Sequence, residues 1–244
     1  MSTIAIIGGS GLTQLGGFIL SHQEIIETPW GDPSAPLFFG SLAGKQIIFL
    51  PRHGAEHSIA PHKINYRANI WALNQAGVQS IIAIAAVGGI HSEAQPASIV
   101  IPDQIIDYSW GRASTYFEDP QTPVTHIDFS WPYSESLRKK LINTAKNSGI
   151  SVIPSGVYGC TQGPRLETAA EIVRMEKDGC TLVGMTGMPE AALARELEIN
   201  YVCCAVVANI AAGKTDQVIT MDEIEKHLHT GINNTYQLLQ AFLI

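Results

Sequence analysis

The chain has 244 residues, 45% of them hydrophobic and 15% charged, with a formal net charge of −7. That length and apolar content suit an α/β domain with a large core, and the acidic balance argues against general nucleic-acid binding, which asks for a basic stripe. So low a charged fraction predicts that part of the surface is covered in an oligomer.

The opening residues, MSTIAIIGGSGL, carry no basic stretch and too short an apolar run for a secretory leader. The longest apolar stretch, residues 81–90, falls far below the roughly 20 residues of a membrane helix. A cytoplasmic protein is expected. Cys160, Cys180, Cys203 and Cys204 lack metal-ligand spacing and read as reduced, buried thiols. Cys203 and Cys204, adjacent on an expected strand, point to opposite faces.

Residues 3–7 form a short Ile-rich run that predicts a buried strand. It leads into Gly8-Gly9-Ser10-Gly11-Leu12, where glycines let the backbone approach a ligand and Ser10 adds a hydroxyl. A dinucleotide fingerprint is excluded, because Gln14 stands where its third glycine belongs. Leu12 excludes a nucleophile elbow. A plain tight turn is the alternative. A strand over 46–50 runs into Pro51-Arg52-His53-Gly54. Arg52 offers a planar fork of donors suited to an oxyanion, at a strand's carboxyl end, where open α/β sheets bind ligands. A helix over 66–76 stops at Gly77. A strand over 80–87 ends in Ala85-Ala86-Val87-Gly88-Gly89, whose small side chains leave room for a ligand and whose N–H groups can meet an anion.

Residues 98–106 predict another strand. Residues 108–133 are irregular and aromatic, a long loop of the kind that is functional or covered by a partner. A helix over 136–148, a strand over 151–157 and a helix over 167–178 follow, the last two joined through Thr161-Gln162-Gly163-Pro164-Arg165-Leu166-Glu167. At a helix N-terminus Glu167 would also favour the dipole, a bland alternative role. A strand over 181–185 leads through Met185-Thr186-Gly187-Met188 to a helix over 189–197, opened by Pro189. A strand over 201–208 is followed at once by Asn209. The last helix opens on Thr220 and Glu223 in a capping-box pattern and sets Ile224, Leu228, Ile232 and Tyr236 on one buried face. The alternation predicts a single α/β domain over residues 1–244, with a central mixed β-sheet flanked by helices.

Six strand-end segments point to a shared pocket, and together they resemble the trimeric purine nucleoside phosphorylases, most closely the methylthionucleoside branch. The resemblance covers nearly the whole chain. Arg52-His53-Gly54, Asn65-Tyr66-Arg67-Ala68-Asn69-Ile70-Trp71-Ala72-Leu73 and Gly163-Pro164-Arg165 carry it. It implies a phosphate site made by Ser10, Arg52, His53, Ala85, the N–H of Ala86 and Thr186, with Met185 against the ribose. Ala85 departs from the adenosine-type enzymes, which have Thr there. Around the base the resemblance implies Leu166, Glu167, Asn209 and Ala211. Adenine-specific members carry Asp where this chain has Asn209 and Ala211, and Ser where it has Glu167. Members that use 6-oxopurines have the Asn and Glu. The chemistry agrees, because a 6-oxopurine offers an N1–H donor to a carboxylate and an O6 acceptor to an amide, whereas adenine N1 would face Glu167 acceptor to acceptor.

Met221 and Ile224 take the place where ordinary nucleoside enzymes of the family have a His for the 5'-hydroxyl, which implies a thioether. His126 matches a residue donated by a neighbouring subunit, which implies a homotrimer. The implied reaction is phosphorolysis of S-methyl-5'-thioinosine to hypoxanthine and 5-methylthioribose 1-phosphate. Asn209 and Glu167 act on the leaving base, phosphate is the co-substrate, and no metal or organic cofactor is implied. A methylthioadenosine phosphorylase, a broader 6-oxopurine enzyme, a hydrolytic nucleosidase and a non-catalytic nucleoside-binding protein stay open as alternatives.

Overall fold

The computed structural model describes residues 3–9, 15–121, 123–216 and 218–244. In chain order the strands are β1 (Thr3–Gly8), β2 (Ile19–Glu24), β3 (Leu37–Leu42), β4 (Lys45–Pro51), β5 (Val78–Gly89), β6 (Ile99–Val100), β7 (Gln104–Asp107), β8 (Val157–Cys160), β9 (Leu182–Gly184) and β10 (Asn200–Ile210). The helices are α1 (Tyr66–Gln75), α2 (Glu135–Asn147), α3 (Ala169–Lys177), α4 (Gly187–Glu196) and α5 (Met221–Leu243). The ten strands of the described residues join one mixed sheet, ordered β2-β3-β4-β1-β5-β9-β8-β7, with β10 and then β6 on the other edge of β5. The expected single α/β domain with a mixed sheet is what forms.

Alternation along the central strands feeds a core on each face of the sheet. Ile81, Ala83 and Ala85 of β5 and Tyr201, Cys203 and Ala205 of β10 enter the core that α1 and α4 complete. Ile82 and Ile84, with Val202, Cys204 and Val206, enter the core under α2 and α5. Strands covered on both faces read as unbroken apolar runs, which is why these were visible in the sequence. Cys203 and Cys204 do face opposite ways, and the four cysteines are free and buried. Asn65 and Asn69 of the α1 motif do structural work. Asn65 caps the helix by accepting from the Ala68 N–H at 3.1 Å, and buried Asn69 accepts from the Ser34 N–H at 2.7 Å.

Several expected boundaries move. The run over 98–106 divides into β6 and β7 around Pro102, which has no N–H to give a ladder. The strand expected over 151–157 lies instead at Val157–Cys160, and residues before it contribute only an isolated bridge from Ile153 to Val100. Helix α3 begins at Ala169 and not at Glu167, because Thr168 caps it in a box with Glu171. The hairpin of β2 and β3 was not foreseen; β2 is exposed throughout and carries no alternating pattern. Among the described residues no helix is long and apolar enough to cross a membrane.

Strand β10 occupies one edge of β5 along residues 80–89. The opposite edge is shared: β1 pairs with it up to Ala83, and antiparallel β9 pairs from Gly88 onward. Over residues 84–87, among the described residues, no strand pairs with that edge. Buried backbone groups there still need partners, and the opening between β1 and β9 is where donors and acceptors can face a ligand.

Candidate active site

The opening forms the floor of a cavity of about 890 Å³, ample for a nucleoside and an anion together. The fold brings to it twelve of the residues singled out in the sequence: Arg52, His53, Ala85, Ala86, Leu166, Glu167, Met185, Thr186, Asn209, Ala211, Met221 and Ile224. Ser10 lies outside the described residues. His126 is exposed and is not part of the lining that its own chain supplies.

At one end stands Arg52, only 1% exposed. The sequence suggests a fork open to an oxyanion, but most of the fork is already engaged. Nε and Nη2 donate to the two carboxylate oxygens of Glu190, at 2.6 and 2.7 Å, and Nη1 donates to the Ile84 carbonyl at 2.9 Å. A guanidinium has five N–H donors, so among the described residues one on each terminal nitrogen is left without a partner. The Tyr201 hydroxyl donates to the same Glu190 carboxylate at 2.8 Å. Burial works against the arginine's charge, and the Glu190 carboxylate more than offsets it, holding the guanidinium above its ordinary pKa. Gly9 is obligatory beside it, because a Cβ there would lie 2.7 Å from the Ile84 carbonyl oxygen and 3.1 Å from Arg52 Nη1. Backbone groups of residues i and i+2 in a strand share an edge. With the Ile84 carbonyl turned to Arg52, the Ala86 N–H faces the same opening.

His53 is buried beside this pair, and its Nδ1 lies 2.8 Å from the Ile59 carbonyl. A carbonyl only accepts, so Nδ1 carries the proton and Nε2 presents a lone pair. Burial, with Arg52 adding to it, pushes the imidazole down to about 4, so His53 is neutral near pH 7. The His57 ring sits 4.5 Å from that of His53, centroid to centroid. Thr186 completes this end. It is the N-cap residue of α4; its hydroxyl makes no capping hydrogen bond but pairs with the Tyr158 hydroxyl, and the residue lines the cavity. Helix α4 is non-helical at Met188, so its regular turns begin at Pro189, as the sequence suggests.

On the neighbouring wall, Glu167 lies on the loop before α3. The α3 carboxylate that answers the helix N-terminus is Glu171, which leaves Glu167 free of that role. One oxygen of Glu167 accepts from the Thr161 hydroxyl at 2.6 Å. Gly163 in this loop has φ +61 and lies under the Met185 side chain, so the base-side loop and the Met185 segment are in contact. Asn209 reaches the cavity because β10 bulges. The register passes from Val207 opposite Val87 to Asn209 opposite Gly88, and an extra residue of this kind re-aims its neighbour. One Asn209 Nδ2–H donates to the Ile210 carbonyl at 2.8 Å; among the described residues the other amide hydrogen and Oδ1 have no hydrogen-bond partner. Ala211 is buried and closes the pocket with a methyl group. At the far end α5 lays Met221 and Ile224 along the cavity, with Met221 64% exposed.

Glu190 and Tyr201 were given no role in the sequence, nor was Thr161 given its bond to Glu167. The available signal for Glu190 was a lone acid on the buried side of α4, beside Ala191, Leu193 and Ala194. Its partner is 138 residues away.

Residues 3–244 match the family model described as Phosphorylase superfamily. The chain is 52% identical, over all of its own length and 99% of the relative's, to a probable S-methyl-5'-thioinosine phosphorylase of Pseudomonas syringae pv. tomato. It is 43% identical to a 6-oxopurine nucleoside phosphorylase of Pyrococcus furiosus, over 99% of this chain and 92% of that one. Among solved structures it is similar to methylthioadenosine phosphorylase from Schistosoma mansoni in complex with adenine. There the TM-score is 0.94 and the identity 29%, over 100% of this chain and 91% of the other.

Proposed function

Because the chain belongs to the phosphorylase superfamily, we propose that it is a pentosyltransferase that cleaves S-methyl-5'-thioinosine with inorganic phosphate. The products are hypoxanthine and 5-methylthioribose 1-phosphate. The observation that carries the choice of base is the pair Glu167 and Asn209, both lining one cavity beside the methyl group of Ala211. A carboxylate accepts the N1–H of a 6-oxopurine, and the amide hydrogen of Asn209 serves O6 or N7. The names of the Pseudomonas and Pyrococcus relatives support the same class of base.

Phosphate sits at the Arg52 end. The two free guanidinium N–H groups, the Ala86 N–H and the Thr186 hydroxyl donate to its oxygens. Neutral His53 accepts at Nε2 from the one protonated oxygen of hydrogen phosphate, which turns the unprotonated oxygens toward the donors and the sugar. An oxygen of phosphate then bonds to the anomeric carbon as the glycosidic bond breaks. The bonding pair leaves with the purine, where the Asn209 amide N–H stabilises the charge in a shielded site while Glu167 holds the N1–H, and the proton brought in on hydrogen phosphate passes through solvent to the departing base to give neutral hypoxanthine. Holding both reactants in one cavity supplies much of the rate. The route uses phosphate as co-substrate and calls on no metal or organic cofactor. Met221 and Ile224 receive the methylthio group, and the exposed α5 end is covered in a homotrimer by a neighbour's loop carrying His126. Four free, buried thiols suit the cytoplasm.

Purified protein incubated with methylthioinosine tests the reading. Hypoxanthine should appear only when phosphate is present. Release without phosphate would make the chain a nucleosidase, and binding without release would make it a nucleoside-binding protein.

A further inference from the structure

Arg112 belongs to the irregular segment after β7 and lies outside the groups that the proposed reaction uses. Its guanidinium nevertheless spends all five of its donors beside the cavity. Nε donates to the Gln162 side-chain oxygen at 3.1 Å, and Nη2 to the Thr161 and Gln162 carbonyls, each at 3.0 Å. Nη1 donates to the Met185 carbonyl at 2.9 Å and to the Met188 carbonyl. The Tyr66 ring lies beneath it, with the guanidinium carbon 5.6 Å from the ring centre. Gln162 also accepts from the Trp110 N–H at 3.2 Å.

These acceptors belong to two different walls. Thr161 and Gln162 begin the loop that carries Glu167, and Thr161 itself holds the Glu167 carboxylate at 2.6 Å. Met185 and Met188 bracket Thr186, at the anion end. Four main-chain carbonyls from the two walls therefore converge on one cation. Without it the Thr161, Gln162 and Met185 carbonyls would lose the donor they share, which costs free energy. The β8–β9 ladder and the Thr161 N–H to the Gly184 carbonyl at 2.8 Å join the walls at their base, and the Met188 carbonyl keeps the Cys160 thiol as a weak donor, so Arg112 sets the loops above that ladder. A lysine supplies three donors from a point charge and cannot span the same set.

We propose that Arg112 is a positioning residue: it sets the distance between the wall that holds the base and the wall that holds ribose and phosphate, and so the line of attack. The proposal rests on the function proposed above. Arg112 touches neither reactant. Its loss should therefore leave each reactant bound on its own wall and spoil their alignment, for which a displacement of about 1 Å can cost on the order of 100-fold in rate.

The test is steady-state kinetics of Arg112→Ala and Arg112→Lys beside the unaltered chain, with phosphate and nucleoside varied in turn. Expected for Arg112→Ala is a fall in kcat of about 100-fold, with both KM values within about threefold. Low concentrations of guanidinium ion should restore part of kcat saturably, where ammonium at equal ionic strength does not. Arg112→Lys should fall between. A variant that keeps kcat within about threefold, or loses efficiency only through KM, or gains nothing from guanidinium, overturns the proposal. If Arg112→Ala does not fold, the KM-against-kcat split of Arg112→Lys decides in the same way. The unaltered chain reports separately on the substrate reading. If it prefers another purine nucleoside, that reading fails while Arg112 is still tested with the nucleoside it turns over. If it turns over none, both fall.

Discussion

The two ends of the cavity are built on different terms. At the anion end the central charge is buried and already paired: Arg52 is 1% exposed and forked onto Glu190, which Tyr201 also holds. At the α5 end Met221, Glu225, His229 and Asn233 line the same cavity while exposed on the surface. One end is finished within a single chain. The other is open, and the exposed aromatics of the loop, Trp110 and Trp131, are of the kind that a neighbouring copy covers. On the proposed function, phosphate geometry is set by the fold itself, whereas selection at the sugar's 5' end depends on what closes over α5.

The strongest way to break the anion end is to remove one member of its buried pair. Glu190→Ala leaves the Arg52 cation uncompensated and should cost about 3–5 kcal/mol of stability, read by denaturant unfolding. Replacing both partners at once, Arg52→Met with Glu190→Leu, should be far less damaging to the fold, because well-packed apolar residues often substitute for a buried ion pair. The double variant should nevertheless lose phosphorolysis. If it keeps phosphorolysis, Arg52 is a structural residue only.

The His53 beside that pair gives a pH signature. In the unfolded chain it takes up a proton near its ordinary 6.5, and in the folded protein only near 4. Between those values the unfolded state holds more protons, so stability falls as pH drops from about 6.5 to about 4 and is unaffected by this group above 6.5. The loss should be on the order of 2–3 kcal/mol by pH 4, and His53→Asn should flatten it. An unchanged profile in that variant would show that other groups govern acid stability.

The smallest effect belongs to the open end. Met221 and Ile224 gain about 0.8 kcal/mol per buried methyl-sized group of the substrate, and an unpartnered 5'-hydroxyl there is penalised. Inosine should therefore be several-fold to tens-fold poorer than methylthioinosine in kcat/KM. Sedimentation should find a trimer at assay concentrations. A fully active monomer would remove the reason given for the open end.

What could be read from the sequence follows the physics of each element. The central strands were visible because both faces are covered, and the site segments because Gly, Arg, Thr and Asn interrupt apolar runs at strand ends. Strand β2 was invisible because its residues, Ile19–Glu24, are all exposed and obey no alternation. The bulge that turns Asn209 inward depends on pairing between β10 and β5, which no local pattern records. Arg52 was found but its fork was misjudged, since Glu190 lies far away in the chain. Arg112 sits in a segment without periodicity, and only the tertiary fold shows which carbonyls gather around it. Glu167 was placed on a helix by its neighbours' propensity, when the Thr168 cap in fact leaves it on the loop.

In the proposed function Glu167 and Asn209 read a 6-oxopurine edge. Each mismatched contact is worth about 1–3 kcal/mol when buried polar groups go unpaired. The direct measurement is kcat/KM of the unaltered chain, at saturating phosphate, on methylthioinosine and on methylthioadenosine. A preference of at least about tenfold for methylthioinosine is expected; equal use of the two nucleosides, or a preference for methylthioadenosine, would contradict the 6-oxopurine assignment.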